Sequence, residues 1–216
     1  MADLRLVVLD CDGVMFDSRG ANRAYYGHLR QRFGRPPLTE EEVAFVHTHS
    51  APESVPYLFR AWPEDLERVD AYRTELDYGP FLRLMAMEPD LPAFLAAVRP
   101  PLLTAISTSR TTTMPAVLDT FGLRRHFDLV VTALDVARPK PHPEALLKIL
   151  GHFGLRADEG IFVGDSQVDA EHAASVGMEL VAFRNPELAA AWHVSSFREV
   201  LRLAPFARHP GLRLHP

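Results

Sequence analysis

Residues 4–18 read LRLVVLDCDGVMFDS, an apolar run that ends in a pair of aspartates. The run Leu6–Leu9 is long enough for one buried β-strand. Asp10 and Asp12 follow it and would share a face if the backbone stayed extended. Because buried carboxylates need a cation or a proton, and ligands bind at the carboxyl ends of parallel strands, the segment predicts a metal-assisted site. A surface turn is the alternative for such an acidic, glycine-containing sequence.

Composition narrows the class of protein. The chain has 216 residues and a net charge of −5, without a run of Lys or Arg, so we expect no nucleic-acid partner. Neither a signal-peptide pattern nor an apolar run of about 20 residues is present, so we expect a cytoplasmic protein that does not bind membranes. The single cysteine, Cys11, excludes an internal disulfide and is predicted to face the core. We expect a monomer or homodimer.

Residues 17–82 have the periodicity of helices and contain no strand-like apolar run. An amphipathic helix is predicted over 20–33, and the pair Thr39 and Glu42 has the capping-box spacing that starts a second helix. Two further helices are expected to start at Pro52 and Pro63. The segment is therefore predicted to be wholly helical.

From residue 83 onward, short apolar runs alternate with helical patterns. The predicted strands are 102–107, 127–131, 161–163 and 180–183. The predicted helices are 91–98, 112–121, 144–153, 167–176, 186–191 and 196–203. This alternation predicts an α/β fold with a doubly wound parallel sheet, formed by residues 1–16 and 83–216, with 17–82 inserted as a helical cap. The tail from Pro205 is expected to be loosely ordered.

Polar residues follow each predicted strand, and the carboxyl ends of parallel strands lie along one edge of a sheet. Besides the two aspartates after the first strand, these residues are Thr108, Ser109, Lys140, Asp165 and Asp169. Carboxylates, hydroxyls and a lysine together have the composition of a phosphate and Mg²⁺ site. Taken singly, Asp165 could be a helix N-cap, a role that Ser166 fits equally well, and Lys140 could be a surface lysine.

Four segments, in this order, resemble the motifs of the haloacid dehalogenase superfamily. They are Asp10–Val14, Ile106–Arg110 with Thr108 at its centre, Lys140–Glu144, and Gly164–Asp169. The resemblance implies a Rossmann-like core with a small helical cap of the C1 type, as in phosphoglycolate phosphatase-like and β-phosphoglucomutase-like members. The third motif could instead place Arg138 in the lysine position, but Lys140 keeps the Lys-Pro-x-Pro-acid pattern in register.

The resemblance also implies a mechanism. Asp10 would attack phosphorus to form an aspartyl phosphate, and Asp12 would first protonate the leaving oxygen and then deprotonate water. Thr108, Ser109 and Lys140 would bind the phosphoryl oxygens, with Lys140 also part of the catalytic group. Mg²⁺ would be held by Asp10, the main-chain carbonyl of Asp12, Asp165 and Asp169, with Asp169 as a ligand or behind one.

Three functions remain open on this basis. The second acid, Asp12, favours a phosphatase that acts on a small phosphorylated metabolite, while a sugar phosphomutase or a non-catalytic binding or regulatory protein are alternatives. In the family, the cap selects the leaving group. Here Arg19, Asn22 and Tyr26 are expected to face the core, as is the loop 46–50. Asn22, together with His47 and His49 of that loop, is predicted to bind substrate. The alternative for the two histidines is that they complement the end of a helix.

Overall fold

A computed structural model describes residues 3–212. Its strands, numbered along the chain, are β1 (Leu6–Leu9), β2 (Phe16–Asp17), β3 (Ala86–Met87), β4 (Leu103–Ser107), β5 (Leu129–Val131), β6 (Gly160–Gly164), β7 (Glu179–Phe183) and β8 (Trp192–Val194). Its α-helices are α1 (Arg19–Arg32), α2 (Glu40–Thr48), α3 (Ala51–Leu58), α4 (Leu66–Glu75), α5 (Gly79–Leu82), α6 (Leu91–Val98), α7 (Met114–Thr120), α8 (Glu144–Phe153), α9 (Gln167–Ala174), α10 (Phe197–Arg202) and α11 (Ala204–Ala207).

Six strands form one sheet in the order β5-β4-β1-β6-β7-β8, and every neighbouring pair is parallel. The chain builds outward from β1 to β4 and β5, then returns to the other side of β1 for β6. This reversal next to β1 is where open α/β sheets form a crevice at the carboxyl ends of their strands. Asp10 and Asp12, which follow β1, therefore lie at the crevice.

Both faces of the sheet are covered. Leu6 and Val8 of β1 pack on one side, in a cluster that includes residues of α8 and α9. Val7 and Leu9 pack on the other side, with residues of α6, α7 and α10. A strand buried on both faces explains why its apolar run is continuous rather than alternating. The predicted doubly wound, Rossmann-like α/β core is confirmed.

Helices α1 to α5 occupy most of the segment that was predicted to be helical. The Thr39 hydroxyl accepts a hydrogen bond from the Glu42 backbone N–H at 3.2 Å, and the Glu42 carboxylate accepts one from the Thr39 N–H at 3.0 Å. This capping box starts α2 as predicted. Pro52 lies in the first turn of α3, and Pro63 starts a 3₁₀ turn that leads into α4. No helix described between residues 3 and 212 is long and apolar enough to cross a membrane.

The structure corrects the sequence prediction in several places. Asp17 belongs to β2, which pairs antiparallel with β3, so the segment 17–82 is not wholly helical. The predicted loop 46–50 is largely the last turn of α2. The predicted helix 186–191 is absent; the chain turns there and then forms the edge strand β8.

The tail also differs from the prediction. It forms the short helix α11, whose Phe206 is fully buried and packs near Phe94 with ring centroids 6.1 Å apart. Burial of this ring anchors the tail to α6 on the core. Residues 213–216 of the predicted loose tail lie outside the described residues.

An ion pair between the buried Glu88 and the half-exposed Arg184 fixes the chain just after β3. Glu88, which is 5% exposed, accepts two hydrogen bonds from the guanidinium of Arg184, one of them at 2.7 Å. Arg184 follows β7 with a positive φ of 53°, a conformation that costs energy for a residue with a side chain. The bidentate contact and the Glu88 N–H bond to Met15 O at 3.0 Å together attach β3 to the core.

Candidate active site

The chain turns sharply after β1. The Asp10 N–H still bonds to Val163 O of β6 at 3.0 Å, but Gly13 has a φ of +83° and its N–H bonds to Phe16 O at 2.8 Å. Gly13 is required here because few residues with a Cβ adopt this φ. Cys11 is fully buried in the core, as predicted, and burial raises the pKa of its thiol.

Three carboxylates meet at the carboxyl edge of the sheet. Asp10, Asp165 and Asp169 each offer one oxygen, and the three oxygens lie within 4.8 Å of one another. The ammonium of Lys140 donates to Asp10 Oδ1 and to Asp169 Oδ1, both at 2.7 Å. The second residue considered for the lysine position, Arg138, is exposed, so the structure brings Lys140 into the acidic cluster.

The charges of this cluster do not balance. Burial raises the pKa of Asp10 to about 7 despite the opposing charge of Lys140. Burial, together with the charges of Asp10 and Asp169, raises the pKa of Asp165 to about 8. Three carboxylates around one ammonium leave negative charge uncompensated, and this excess adds to burial in raising both pKa values.

Asp169 is held on both of its oxygens. Oδ1 accepts from Lys140, and Oδ2 accepts from the Ser166 hydroxyl at 2.7 Å and from the Ser166 N–H at 3.2 Å. The Ser166 hydroxyl also accepts from the Asp169 N–H, which makes Ser166 the N-cap of α9. The alternative role of Asp165 as this N-cap is therefore wrong, and its carboxylate points to the cluster instead.

Asp12 does not join the three-carboxylate cluster; it pairs with an arginine. Its Oδ1 accepts a hydrogen bond from Nη2 of Arg110 at 2.6 Å. Burial alone would raise the pKa of Asp12, but the Arg110 guanidinium outweighs burial and holds the pKa below its ordinary value. The pair with Arg110 therefore favours the ionised form of Asp12.

Arg110 is the residue at this site that the sequence analysis missed. Its side chain is only 6% exposed, and it lies two residues beyond Thr108. Its position at the end of the segment Ile106–Arg110 could have indicated this role. A cation that follows a strand lies at the same edge of the sheet as the carboxylates and can be expected to pair with one of them.

The two predicted hydroxyl residues occupy different places. Thr108 is 4% exposed, its N–H bonds to Val131 O at 3.0 Å, and its hydroxyl accepts from the Arg110 N–H at 3.1 Å. Ser109 lines a cavity beside the carboxylates. The cavity has a volume of about 320 Å³, and its wall includes Asp10, Asp12 and Lys140.

The opposite wall of the cavity comes from α1, α2 and the segment before α5. Asn22 Nδ2 lies 3.2 Å from His47 Nδ1, and both residues line the cavity, as does Tyr26. The expectation for Arg19 is wrong. Its side chain is exposed and lies 3.7 Å from Glu40, away from the cavity.

His49 also lines the cavity, but its ring serves its own helix. Nδ1 lies 2.9 Å from Phe45 O and 2.9 Å from the Thr48 hydroxyl. The ring also stacks on Phe45, with centroids 3.8 Å apart and an interplanar angle of 6°. These contacts match the helix-end alternative for His49, while His47 is directed at Asn22 across the cavity wall.

The donor set fits a hard divalent cation. The cluster consists of carboxylate oxygens, which Mg²⁺ prefers, and its uncompensated negative charge needs a cation beyond Lys140. Asp165 is the carboxylate of the three with no lysine bond, so its oxygens are the freest to bind such an ion. The structure thus brings together Asp10, Asp165 and Asp169 of the predicted metal ligands, whereas the side chain of Asp12 is turned to Arg110.

Residues 7–183 match the family described as haloacid dehalogenase-like hydrolase. The chain therefore belongs to the haloacid dehalogenase-like hydrolases, and the resemblance inferred from its four motifs is confirmed. A crystal structure of a HAD-superfamily hydrolase, subfamily IA, variant 1, from Geobacter sulfurreducens PCA is similar, with 38% identity and a TM-score of 0.81 over 92% of this chain and 98% of that one.

Several curated relatives are named phosphoglycolate phosphatase. The Pectobacterium atrosepticum protein is 38% identical over 120 residues, which are 55% of this chain and 50% of that protein. The Pseudomonas syringae pv. tomato protein is 26% identical over 189 residues, which are 82% of this chain and 68% of that protein. A β-phosphoglucomutase structure from Clostridium difficile, at 18% identity and a TM-score of 0.80 over 91% of this chain and 93% of that one, shares the fold. The match to the Pectobacterium atrosepticum protein spans only half the length of that protein.

Proposed function

We propose that this chain is a Mg²⁺-dependent phosphatase that releases phosphate from a small phosphorylated metabolite through an aspartyl phosphate. The observation that carries the proposal is the Lys140 ammonium, which lies 2.7 Å from both Asp10 and Asp169 beside a cavity that Asp12 also lines. A nucleophile, a cation for phosphoryl oxygens and a second acid within one cavity are the groups that phosphoryl transfer requires.

In the proposed reaction, Asp10 attacks phosphorus and forms the new P–O bond. Because the pair with Arg110 favours ionised Asp12 before substrate binds, the monoanionic phosphoester first gives its phosphate proton to Asp12. As the bond to the leaving oxygen breaks, that oxygen takes this proton from Asp12. A water molecule then attacks the aspartyl phosphate, gives its proton to Asp12, and releases phosphate and the free Asp10 carboxylate. Lys140, with Thr108 and Ser109, would neutralise the transferring oxygens.

Mg²⁺ would be held by Asp10, Asp165 and the main-chain carbonyl of Asp12, and when bound it supplies further charge neutralisation at the phosphoryl group. Asp169 is proposed to stand behind these ligands, since its two oxygens already accept bonds from Lys140 and Ser166. In that position it would orient Lys140 rather than contact the ion.

We also propose that residues 17–82 act as a cap on the core formed by 1–16 and 83–216. The cavity between the two sets supports this, because Asn22 and His47 line it from the helices and Asp12 lines it from the core. The paired strands β2 and β3 would be the hinge, since they join the ends of the helical segment. The names of the curated relatives make 2-phosphoglycolate the first substrate to try.

The test measures phosphate release from p-nitrophenyl phosphate and from 2-phosphoglycolate with Mg²⁺, for the wild type and Asp10→Asn. Asp158→Asn is the matched control, since Asp158 is exposed and pairs with Arg156 away from the cavity. We expect Asp10→Asn to retain its fold and lose more than about a thousandfold in kcat, with the control unchanged. Full turnover by Asp10→Asn would remove Asp10 from the nucleophile role.

The same assay separates the alternatives. Conversion of β-glucose 1-phosphate to glucose 6-phosphate, without net phosphate release, would indicate a phosphomutase. No turnover of any phosphoester by the folded wild type with Mg²⁺ would indicate a binding or regulatory protein, because the groups would be present without the chemistry.

A further inference from the structure

Asp165, which is proposed above as a ligand of Mg²⁺, is held in place through its main chain. Its N–H donates to Asp169 Oδ2 at 3.3 Å, and its carbonyl oxygen accepts a shorter bond, at 2.8 Å, from Nδ2 of Asn185. Unlike Asp10 and Asp169, it has no bond from Lys140. The direction of its short side chain therefore depends on how firmly these two bonds hold its backbone.

The amide of Asn185 has one orientation that satisfies both of its neighbours. Its Oδ1 accepts a hydrogen bond from the Glu187 N–H at 3.1 Å, while its Nδ2 donates to the Asp165 carbonyl. An amide turned by 180° would place its NH₂ group against the Glu187 N–H and its oxygen against the Asp165 oxygen, so both bonds would be lost. The surrounding donors and acceptors therefore determine that Asn185 donates to Asp165.

The turn that carries Asn185 is itself fixed. Pro186 follows directly and restricts the backbone of Asn185 to extended conformations. Arg184 precedes it and is the one residue other than glycine between positions 3 and 212 with a positive φ. Such a conformation persists only where the surroundings determine it, and here the Arg184 guanidinium is held by Glu88 and, at 3.0 Å, by Ser195 O. The segment that directs Asn185 at the end of β6 therefore has little freedom to move.

We propose that Asn185 is a positioning residue for Mg²⁺, which holds the Asp165 carbonyl and thereby fixes the direction of the Asp165 carboxylate toward the ion. The inference rests on the proposed Mg²⁺-dependent phosphatase. Asn185 is not part of the cavity wall formed by the described residues, so it acts through Asp165 rather than on the substrate. A ligand that is already in position loses little freedom when the ion binds, and partners that orient metal ligands typically contribute about 10–100-fold to metal affinity.

The variant that tests this role is Asn185→Asp. Its carboxylate still accepts the Glu187 N–H, but an oxygen replaces the donor to the Asp165 carbonyl, so only that bond is lost. The added negative charge by itself attracts Mg²⁺, so weaker binding cannot be an effect of charge. Gln167→Glu is the matched control, because it makes the same change of amide to carboxylate two residues from Asp165, on an exposed side chain that bonds to Glu171.

The measured quantity is the Kd of the metal-free protein for Mg²⁺, from calorimetric titration at about pH 8, where aspartate is normally ionised. We expect the Kd to rise tenfold or more in Asn185→Asp and in Asn185→Ala, and to stay within threefold of the wild type in Gln167→Glu. Urea unfolding without the metal shows whether each variant is folded. A wild-type Kd in the folded Asn185 variants would overturn the inference, because a residue that only shapes the turn changes stability and leaves the Kd alone.

A second measurement does not depend on an Asn185 variant that folds. The chain has two asparagines, Asn22 and Asn185, so labelling with ¹⁵N-asparagine leaves two side-chain NH₂ signals in an NMR spectrum, which Asn22→Ser assigns. Asn22 lines the opposite wall of the cavity, whereas Asn185 bonds to Asp165. We expect Mg²⁺ to shift the Asn185 signal more than the Asn22 signal. If saturating Mg²⁺ leaves the Asn185 signal unmoved, Asn185 does not position Asp165.

The outcomes separate the two proposals. If the wild type binds Mg²⁺ and Asp165→Asn does not, while both Asn185 variants bind it as tightly as the wild type, the inference is overturned and the phosphatase stands. If the wild type binds Mg²⁺ but hydrolyses no phosphoester, the proposed function is overturned, and the Kd values still decide the role of Asn185. Absence of Mg²⁺ binding by the wild type would overturn both.

Discussion

The carboxylate of Asp165 occupies the space that a side chain on Gly13 would need. A Cβ atom on Gly13 would lie 2.0 Å from Asp165 Oδ2, and Gly13 also has a φ of +83°. The turn after β1 can therefore pack against Asp165 at the end of β6 only because residue 13 is a glycine without a side chain.

Gly13→Ala is expected to destabilise the protein by more than about 1 kcal/mol and to displace Asp165. Gly34→Ala is the matched control, since Gly34 has a φ of +66° but a Cβ added to it would meet no atom within 4 Å. Chemical unfolding and Mg²⁺ titration measure the two effects. We expect both variants to lose stability and only Gly13→Ala to lose the response to Mg²⁺. A normal Mg²⁺ response in Gly13→Ala would show that Asp165 is not needed for the ion.

Lys140→Ala should be far more damaging than Arg138→Ala. Removal of Lys140 leaves Asp10 and Asp169 buried without their cation, and breaking a buried pair in this way typically costs about 3–5 kcal/mol. Arg138 is exposed, so its loss should change the free energy of unfolding by less than about 0.5 kcal/mol. Urea unfolding and kcat of both variants test the ranking. A reversed order would mean that Arg138 takes the lysine position.

Mg²⁺ should raise the melting temperature of the metal-free protein. At a concentration a hundredfold above its Kd, an ion that binds only the folded state stabilises it by about 2.7 kcal/mol. Asp165→Asn should remove most of this gain, and the exposed control Asp158→Asn should keep it. Calorimetry with and without Mg²⁺ measures both, independently of activity. Ca²⁺ should support turnover poorly, since it prefers more ligands at longer distances.

Substitution of the two cavity histidines should have different effects: His47→Ala should affect catalysis and His49→Ala should affect stability. His47→Ala is expected to lower kcat/KM for 2-phosphoglycolate by tenfold or more, about 1.4 kcal/mol, and to change p-nitrophenyl phosphate little. His49→Ala should mainly reduce stability, because its Nδ1 lies 2.9 Å from Phe45 O at the end of α2. Steady-state kinetics and thermal unfolding of both variants distinguish these roles. If His47→Ala lowered kcat/KM equally for the two esters, His47 would have a structural role only.

His172 should make the protein sensitive to acid. The ring is fully buried, with Nε2 3.0 Å from the Ser107 hydroxyl, and burial lowers its pKa to about 4. The nearby charge of Lys140 also lowers this pKa, while Asp169 opposes the shift. The folded state therefore binds fewer protons than the unfolded state between about pH 6.5 and 4. The contribution of neutral, buried His172 to the free energy of unfolding is therefore complete above about pH 6.5. It is lost as the pH falls from about 6.5 to about 4.

The measurement is the free energy of unfolding at several pH values. His172→Gln should remove up to about 1.4 kcal/mol per pH unit from the slope between pH 6 and 4. The exposed His152→Gln serves as the control and should keep the slope of the wild type. An unchanged slope in His172→Gln would assign the acid sensitivity to the carboxylates of the cluster instead.

Sequence patterns were sufficient for β1, β4, β6 and β7 because these strands are buried on both faces and leave continuous apolar runs. Once the strands are parallel, their carboxyl ends share an edge, and Asp10, Lys140 and Asp165 follow those ends. Their meeting in space is therefore a consequence of topology. The start of α2 was equally predictable, since Thr39 and Glu42 interact within one turn.

Other features depend on contacts that a local pattern does not contain. Strands β2 and β3 have two residues each, too few for any periodicity, and they form because their partners are distant in sequence. The sequence around 186–191 favours a helix by composition, but the Asn185 side chain accepts a hydrogen bond from the Glu187 N–H at 3.1 Å and starts a turn. Asp12, the partner of Arg110, is 98 residues away, so no local pattern connects the two residues; only their shared position at the carboxyl edge of the sheet does.

The pairing of β2 with β3 has a consequence for how such a chain can diversify. Asp17 and Ala86 are opposite each other in this ribbon, so the segment between them leaves the core and returns to it side by side. Any segment whose ends meet at that spacing could replace it without disturbing the sheet, because insertions are tolerated where the two ends are close. In the proposed arrangement the core performs the chemistry and the segment between β2 and β3 acts as the cap, so the two could be exchanged independently. A chimaera joined at Asp17 and Ala86 is then expected to keep the reaction of the parent that supplies the core and to take its leaving-group preference largely from the parent that supplies the cap.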